Sequence, residues 1–264
     1  MDREPAVAGR FYSGDPARLA RDVAEMLGPP VSAGPALGVL VPHAGYVYSG
    51  GVAGATYARV EVPERAVVLC PNHTGFGARI SLWPDGGWNT PLGRVPVDPE
   101  LTAALRSCPL VQEDRAAHRH EHALEVQLPF LLARRPEVVI AALCLGPLSV
   151  EEALELGEAV AKAVRGYPAL LVASSDMSHY VSAEEAREKD HRALDRLIAL
   201  DARGLHDTVR REDISMCGVV PATVMLAAAR ALGARSAELV RYANSGDVTG
   251  DRDSVVGYAG AIVR

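Results

Sequence analysis

The sequence predicts an α/β fold, with a mainly parallel or mixed central sheet flanked by helices on both faces. Three observations predict it. Apolar runs at Val39–Val41, Ala66–Cys70 and Ala169–Ala173 read as buried strands. Helix-start signals stand between these runs, and strands alternating with helices imply a sheet covered on both sides. Each run also breaks at loop residues that include a histidine: Pro42-His43, Pro71-Asn72-His73-Thr74-Gly75, and Ser174-Ser175-Asp176-Met177-Ser178-His179. Proline cannot donate to a sheet ladder, so the first strand ends at Pro42 and His43 emerges at its carboxyl edge. In open α/β sheets the crevice beyond the carboxyl ends of the strands is where ligands bind. The three loops are therefore expected to meet there and build one site.

The elements follow in order. Residues 1–14 form an irregular opening, and Asp15-Pro16 reads as an N-cap and first-turn proline for a helix to about Leu27. Gly28–Gly34 is a linker into the first strand. After the His43 loop, Ser49 is expected to cap a small-residue helix, Gly50–Arg59, that lies close to the sheet. Residues 78–97 alternate and carry the turn Pro84-Asp85-Gly86-Gly87, which predicts a hairpin or meander decorating the sheet. Asp98-Pro99 starts a helix to about Ser107. Arg115–His122 is a polar, histidine-rich loop entering a helix, Ala123–Arg134, despite Pro129. Val138–Leu145 is a strand, and Ser149 caps a long helix through Val164. Beyond the third histidine loop, Ser182-Ala183-Glu184-Glu185 resembles a capping box opening a charged helix to about Leu200. A short helix, Ala202–Arg210, precedes an apolar one, Val219–Leu232. Two last strands, Ala237–Tyr242 and Val255–Val263, are joined by a polar loop.

The chain of 264 residues is read as one domain, 1–264, with 48% hydrophobic and 23% charged residues, ordinary for a soluble globular protein. A net charge of −6 argues against a nucleic-acid partner. No apolar run approaches the ~20 residues of a membrane span, and Met1-Asp2-Arg3-Glu4 has no signal-peptide character. A cytoplasmic location without a membrane partner is the expectation. The four cysteines are scattered, with no CxxC pair, and read as reduced thiols.

His43 and His73 are the leading candidates for metal ligands, each just past a strand beside small, permissive residues. Cys217 is the natural third, since it precedes Gly218 at a helix N-terminus where partial positive charge favours the thiolate. Cys70 and Cys144 lie within apolar strands as packing residues, and Cys108 sits in a surface turn. Asp176 and His179, three residues apart, fit a turn pointing both into one pocket. Both are read there as catalytic candidates, His179 moving a proton as general acid or base with Asp176 beside it, and a turn or helix cap is the equal alternative for Asp176. His122 and Glu125 share a helix face and are read as pocket-lining or ligand-supporting groups. Their surroundings do not make an HExxH motif. His118 and His120 are expected in an exposed loop, and His191 and His206 on exposed helix faces. GxGxxG, P-loop and GxSxG motifs are absent.

The stretches Ala8-Gly9-Arg10-Phe11-Tyr12, Pro42-His43-Ala44-Gly45-Tyr46, Pro71-Asn72-His73, Glu121-His122-Ala123-Leu124-Glu125, Ser174-Ser175-Asp176 with His179, and Cys217-Gly218 resemble the Memo family. That family is also known as the B protein of the AmmeMemoRadiSam system. The resemblance implies a fold similar to class III extradiol dioxygenases, non-haem iron enzymes that open catechol-type rings. It implies His43 and His73 as paired ligands, Cys217 in place of the usual carboxylate, and His179 as the acid/base histidine. It also implies iron or copper, with Fe(II) the first cofactor expected and copper or zinc as alternatives once the thiolate is counted, and a functional link to radical-SAM and other AmmeMemoRadiSam proteins. A thiolate shifts preference toward copper or zinc, so ring cleavage does not follow from the ligand set. Three functions fit: a metal-dependent redox protein or oxidoreductase, a binding module receiving a small molecule or peptide in the same pocket, and a zinc hydrolase.

Overall fold

The structure, a computed structural model, describes residues 1–264. The first half comprises α1 (Pro16–Leu27), β1 (Gly38–Val41), α2 (Tyr46–Ala58), β2 (Arg65–Pro71), β3 (Ile80–Leu82), β4 (Gly87–Thr90), β5 (Gly93–Pro96), α3 (Pro99–Arg106), β6 (Gln112–Glu113) and α4 (Ala116–Arg119). A 3₁₀ turn at Glu125–Gln127 leads into α5 (Leu128–Arg134). The rest is β7 (Val139–Leu145), α6 (Val150–Val164), β8 (Ala169–Ser174), β9 (His179–Val181), α7 (Ala183–Ile198), α8 (Ala202–Arg211), α9 (Val219–Ala231), β10 (Ala237–Asn244), α10 (Gly246–Thr249) and β11 (Val255–Val263).

The strands form one large sheet in the order β10-β11-β1-β8-β2-β7-β3-β6, with β9 paired to β11. Its centre, β1-β8-β2-β7, is parallel, while β11 and β3 join antiparallel on the two sides. The mixed sheet with helices on both faces is the predicted architecture. Alternation along each central strand divides the core into two layers. Leu40, Val67, Leu69, Leu143 and Leu171 face the layer built with α6, α8 and α9. Val39, Val41, Val68, Ala142 and Val172 face the layer built with α1, α2 and α5. No helix is long and apolar enough to cross a membrane.

Local signals set most boundaries. The Asp15 carboxylate accepts from Arg18 N at 2.7 Å, Asp98 accepts from the amides of Glu100 and Leu101, and Ser149 and Glu152 form a reciprocal capping box. Pro129 falls in the first turn of α5, where its missing N–H leaves no bond unmade. Four expectations are corrected. First, α2 starts at Tyr46, three residues before Ser49, whose hydroxyl instead donates back to Ala44 O. Its Gly54 lies against the backbone at Met26, so the small residues admit the end of α1. Second, residues 80–82 join the main sheet beside β7, and only β4 and β5 make a separate hairpin. Third, Cys108 and His206 are buried rather than exposed.

Fourth, His118 is fully buried. The polar run around it folds into a helical turn that wedges the imidazole against Trp83 and Trp88, at 5.7 Å from each ring. Its Nε2–H donates to Ser81 O at 3.1 Å, and Nδ1 has no partner. Burial pushes this imidazole from 6.5 down to about 4, outweighing the Ser81 carbonyl. The folded state thus holds His118 neutral at a pH where the unfolded chain takes a proton. Its contribution is complete above pH 6.5 and is lost as pH falls toward about 4. Urea titrations across this window are expected to show a loss on the order of 3 kcal/mol, absent in His118→Gln, which keeps the bond to Ser81.

Candidate metal centre

The carboxyl ends of β1, β8 and β2 lie side by side, with Val41 opposite Ser174 and Leu69 opposite Ala173. His43 leaves the first, Asp176 the second and His73 the third. Cys217 arrives from the other direction, on the turn before α9. Gly218 is what allows it so close: a Cβ there would collide with Ser175 Cβ and Ser174 O, and its N–H donates to Ser175 Oγ at 2.9 Å. The result brings His43, His73 and Cys217 together, with one ligand atom from each lying within 4.8 Å of the others. Cys217 Sγ is 3.2 Å from His43 Nε2.

The partners of each imidazole settle its tautomer. Ser174 Oγ donates its single proton to Ala123 O at 2.6 Å, because a carbonyl can only accept. The same oxygen accepts from Gln127 Nε2 at 2.9 Å, whose orientation is fixed by a second bond to Pro42 O. The His43 Nδ1···Ser174 Oγ contact of 2.9 Å must then run from Nδ1–H, leaving a lone pair on Nε2, the nitrogen facing Cys217. His73 is fixed likewise: Nδ1–H donates to Glu121 Oε1 at 2.9 Å and its backbone N–H to Glu121 Oε2 at 2.6 Å. Both histidines therefore present Nε2 as a donor atom.

The remaining candidates take different places. His122 stacks on His73 with ring centroids 4.8 Å apart and lies 5.4 Å from the His43 ring, beside the ligand group. Phe11 of the N-terminal arm packs on its ring at 4.7 Å. Asp176 Oδ1 accepts from His43 N at 2.7 Å and more weakly from Ala44 N, so the carboxylate shapes the His43 loop. His179 donates Nδ1–H to Ser215 O at 2.9 Å, which leaves Nε2 unprotonated in the neutral ring. Glu125 is not gathered into the cluster. It is fully buried, and its oxygens accept from Arg3, Ala6, Val7 and Tyr12. Sequence reasoning missed Glu121, Ser174 and Gln127 as the groups that orient the imidazoles. Gln127 carried the clearest signal, a lone amide within the apolar stretch from Val126 to Leu132.

Burial is the first influence on the protonation of the groups gathered here. Burial, with His73, His122 and His179 nearby, pushes His43 well below its usual value, so it stays neutral. Burial alone would lower His73, but the Glu121 carboxylate outweighs it and raises this imidazole. Asp176 is pushed up to about 6 by burial, in spite of its two backbone donors. The thiolate expected for Cys217 is not favoured by the protein itself: burial, reinforced by the Asp176 carboxylate, pushes the thiol up. A bound cation supplies the charge that makes a ligating thiol deprotonate. Glu121 Oε1 also lies 3.3 Å from His122 Nδ1, so His73, Glu121 and His122 form a second candidate group. Glu121 already accepts there from His73 N, His73 Nδ1 and the Ala123 amide, the arrangement of a carboxylate that orients its neighbour.

The fold and site define an α/β protein with a His/His/Cys group, able to hold one metal ion, at the carboxyl edge of its sheet. The chain belongs to the Memo family: the Memo-like protein family profile matches residues 3–262. A MEMO1 family protein of Methanopyrus kandleri is 41% identical over 281 residues, covering 100% of this chain and 99% of the relative. Another, of Aquifex aeolicus, is 44% identical over 263 residues and covers 98% of each chain. Among solved structures, an uncharacterized Escherichia coli K12 protein is similar in fold at a TM-score of 0.52 and 16% identity. That match covers 85% of this chain and 98% of the other. The mixed, helix-flanked sheet is consistent with the dioxygenase-like fold expected from the sequence.

Proposed function

We propose that His43, His73 and Cys217 hold a single redox-active ion, Fe(II) before copper, and that the protein is a metal-dependent oxidoreductase acting on a small molecule. The observation that carries this reading is the convergence of two Nε2 lone pairs and a thiol from three separate loops. When bound, such an ion supplies electron transfer and open coordination positions for a substrate. Ser174 and Glu121 orient the two imidazoles, and Asp176 holds the His43 loop through two backbone N–H groups. His179, anchored through Nδ1, keeps Nε2 available to take up or deliver a proton.

Elemental analysis of protein purified without added metal is expected to find about one iron or copper per chain. Cys217→Ser, which replaces a thiolate by a weak hydroxyl ligand, is expected to lower that content at least tenfold, in line with loss of a primary ligand. Anaerobic reconstitution followed by oxygen uptake with small aromatic or thiol-containing substrates then tests the redox role. Metal content insensitive to Cys217→Ser, or a reconstituted site that consumes no oxygen with any of them, refutes the reading. Zinc alone at full occupancy moves the function to hydrolysis.

A further inference from the structure

A cavity of about 330 Å³ opens beside the proposed centre, with His73 and Cys217 in its wall. Half of its lining is apolar, including Leu145, Val209, Ile214, Met216 and Val220. A concave pocket that combines apolar wall with a few placed polar groups is the common form of a small-molecule site. The polar groups divide by availability. Asn72 is occupied, accepting from Thr74 and Gly75 and donating to Phe76 O. Arg210 is exposed at the cavity and makes no ion pair or hydrogen bond, whereas its neighbours Arg203 and Arg211 are paired with Glu151 and Glu212. The uncapped start of α9, whose first two residues line the same wall, adds positive potential. Asp213 stands on this wall in the left-handed region, at φ +50°, which aspartate tolerates better than most residues.

We infer that this cavity binds a small organic monocarboxylate, with its anionic end on Arg210, its apolar body along Val209, Ile214 and Val220, and its other end toward Cys217 and His73. One guanidinium beside Asp213 matches a single negative charge better than the double charge of a phosphate monoester. The apolar half of the lining gives a ligand's carbon skeleton a surface to cover, and it offers a polar group no hydrogen bonds there in exchange for water. That the bound molecule is the substrate rests on the metal-centre reading; that it binds does not.

The probe is phenylacetate, with phenylacetamide as its neutral counterpart and phenyl phosphate as the dianion. Their binding is followed by ligand-observed NMR on the full chain, with metal content measured before and after dialysis against a chelator. Phenylacetate is expected to bind about tenfold more tightly than phenylacetamide, the size of one charge-assisted contact. Arg210→Ala is expected to remove that tenfold preference while leaving phenylacetamide unchanged, and Asp213→Asn to tighten phenylacetate about two- to threefold. Equal binding of acid and amide, no binding of either, a preference for phenyl phosphate, or indifference to Arg210→Ala each overturns the inference. Arg210-dependent binding that persists in metal-free protein upholds the pocket even where the metal-centre reading fails.

Discussion

Replacing Glu125 with alanine is expected to destabilise the protein by about 3–5 kcal/mol, the range for breaking a buried ion pair from one side. The carboxylate has no exposure and accepts from four donors: Arg3 Nη1 at 2.6 Å, Tyr12 OH at 2.6 Å, Ala6 N at 2.8 Å and Val7 N at 3.0 Å. Arg3 is itself buried, lies over the Trp88 ring at 4.4 Å and donates to the carbonyls of His118 and Glu121. Removing Glu125 strands this guanidinium and two backbone amides away from water. Those amides belong to the arm that carries Phe11 onto His122, so the site loosens as well. Urea unfolding checks the magnitude. A double-mutant cycle with Arg3→Ala checks the cause, because the second substitution removes the stranded charge and should cost much less than it does alone.

Glu121→Gln is expected to weaken metal binding about 10- to 100-fold while changing global stability far less. Three groups donate to this carboxylate, His73 N, His73 Nδ1 and the Ala123 amide, and His122 Nδ1 lies 3.3 Å from it. A glutamine has one oxygen to offer. If its NH₂ turns to His73 Nδ1, the imidazole must accept there and carry its proton on Nε2, which removes the lone pair a metal needs. If the NH₂ turns the other way, it faces the His73 backbone N–H. Chelator competition measures the affinity. An NMR assignment of the His73 tautomer in metal-free protein separates this cause from simple loosening.

The parts legible in the sequence are those written by neighbouring residues. Apolar runs ending in proline or serine gave β1, β2 and β8, and Asp-Pro pairs gave the starts of α1 and α3. Convergence of residues 43 and 73 followed from topology, because parallel strands deliver their loops to one edge, whereas Cys217 reaches that edge from the turn between α8 and α9. Groups fixed by distant partners were not legible. Glu125 finds its donors 113 to 122 positions away, and His118 is buried by Trp83, Trp88 and Ser81 within a run that reads as polar. In the same way residues 80–82 carry an ordinary hairpin pattern, and only the free edge of β7 decides that they join the main sheet.

Crystals of the protein as purified, measured on both sides of the metal absorption edge, test the central claim most directly. The account predicts one anomalous peak per chain, within bonding distance of His43 Nε2, His73 Nε2 and Cys217 Sγ together. A peak lodged instead among His73 Nδ1, Glu121 and His122, or a full-occupancy ion out of contact with the Cys217 sulfur, contradicts it.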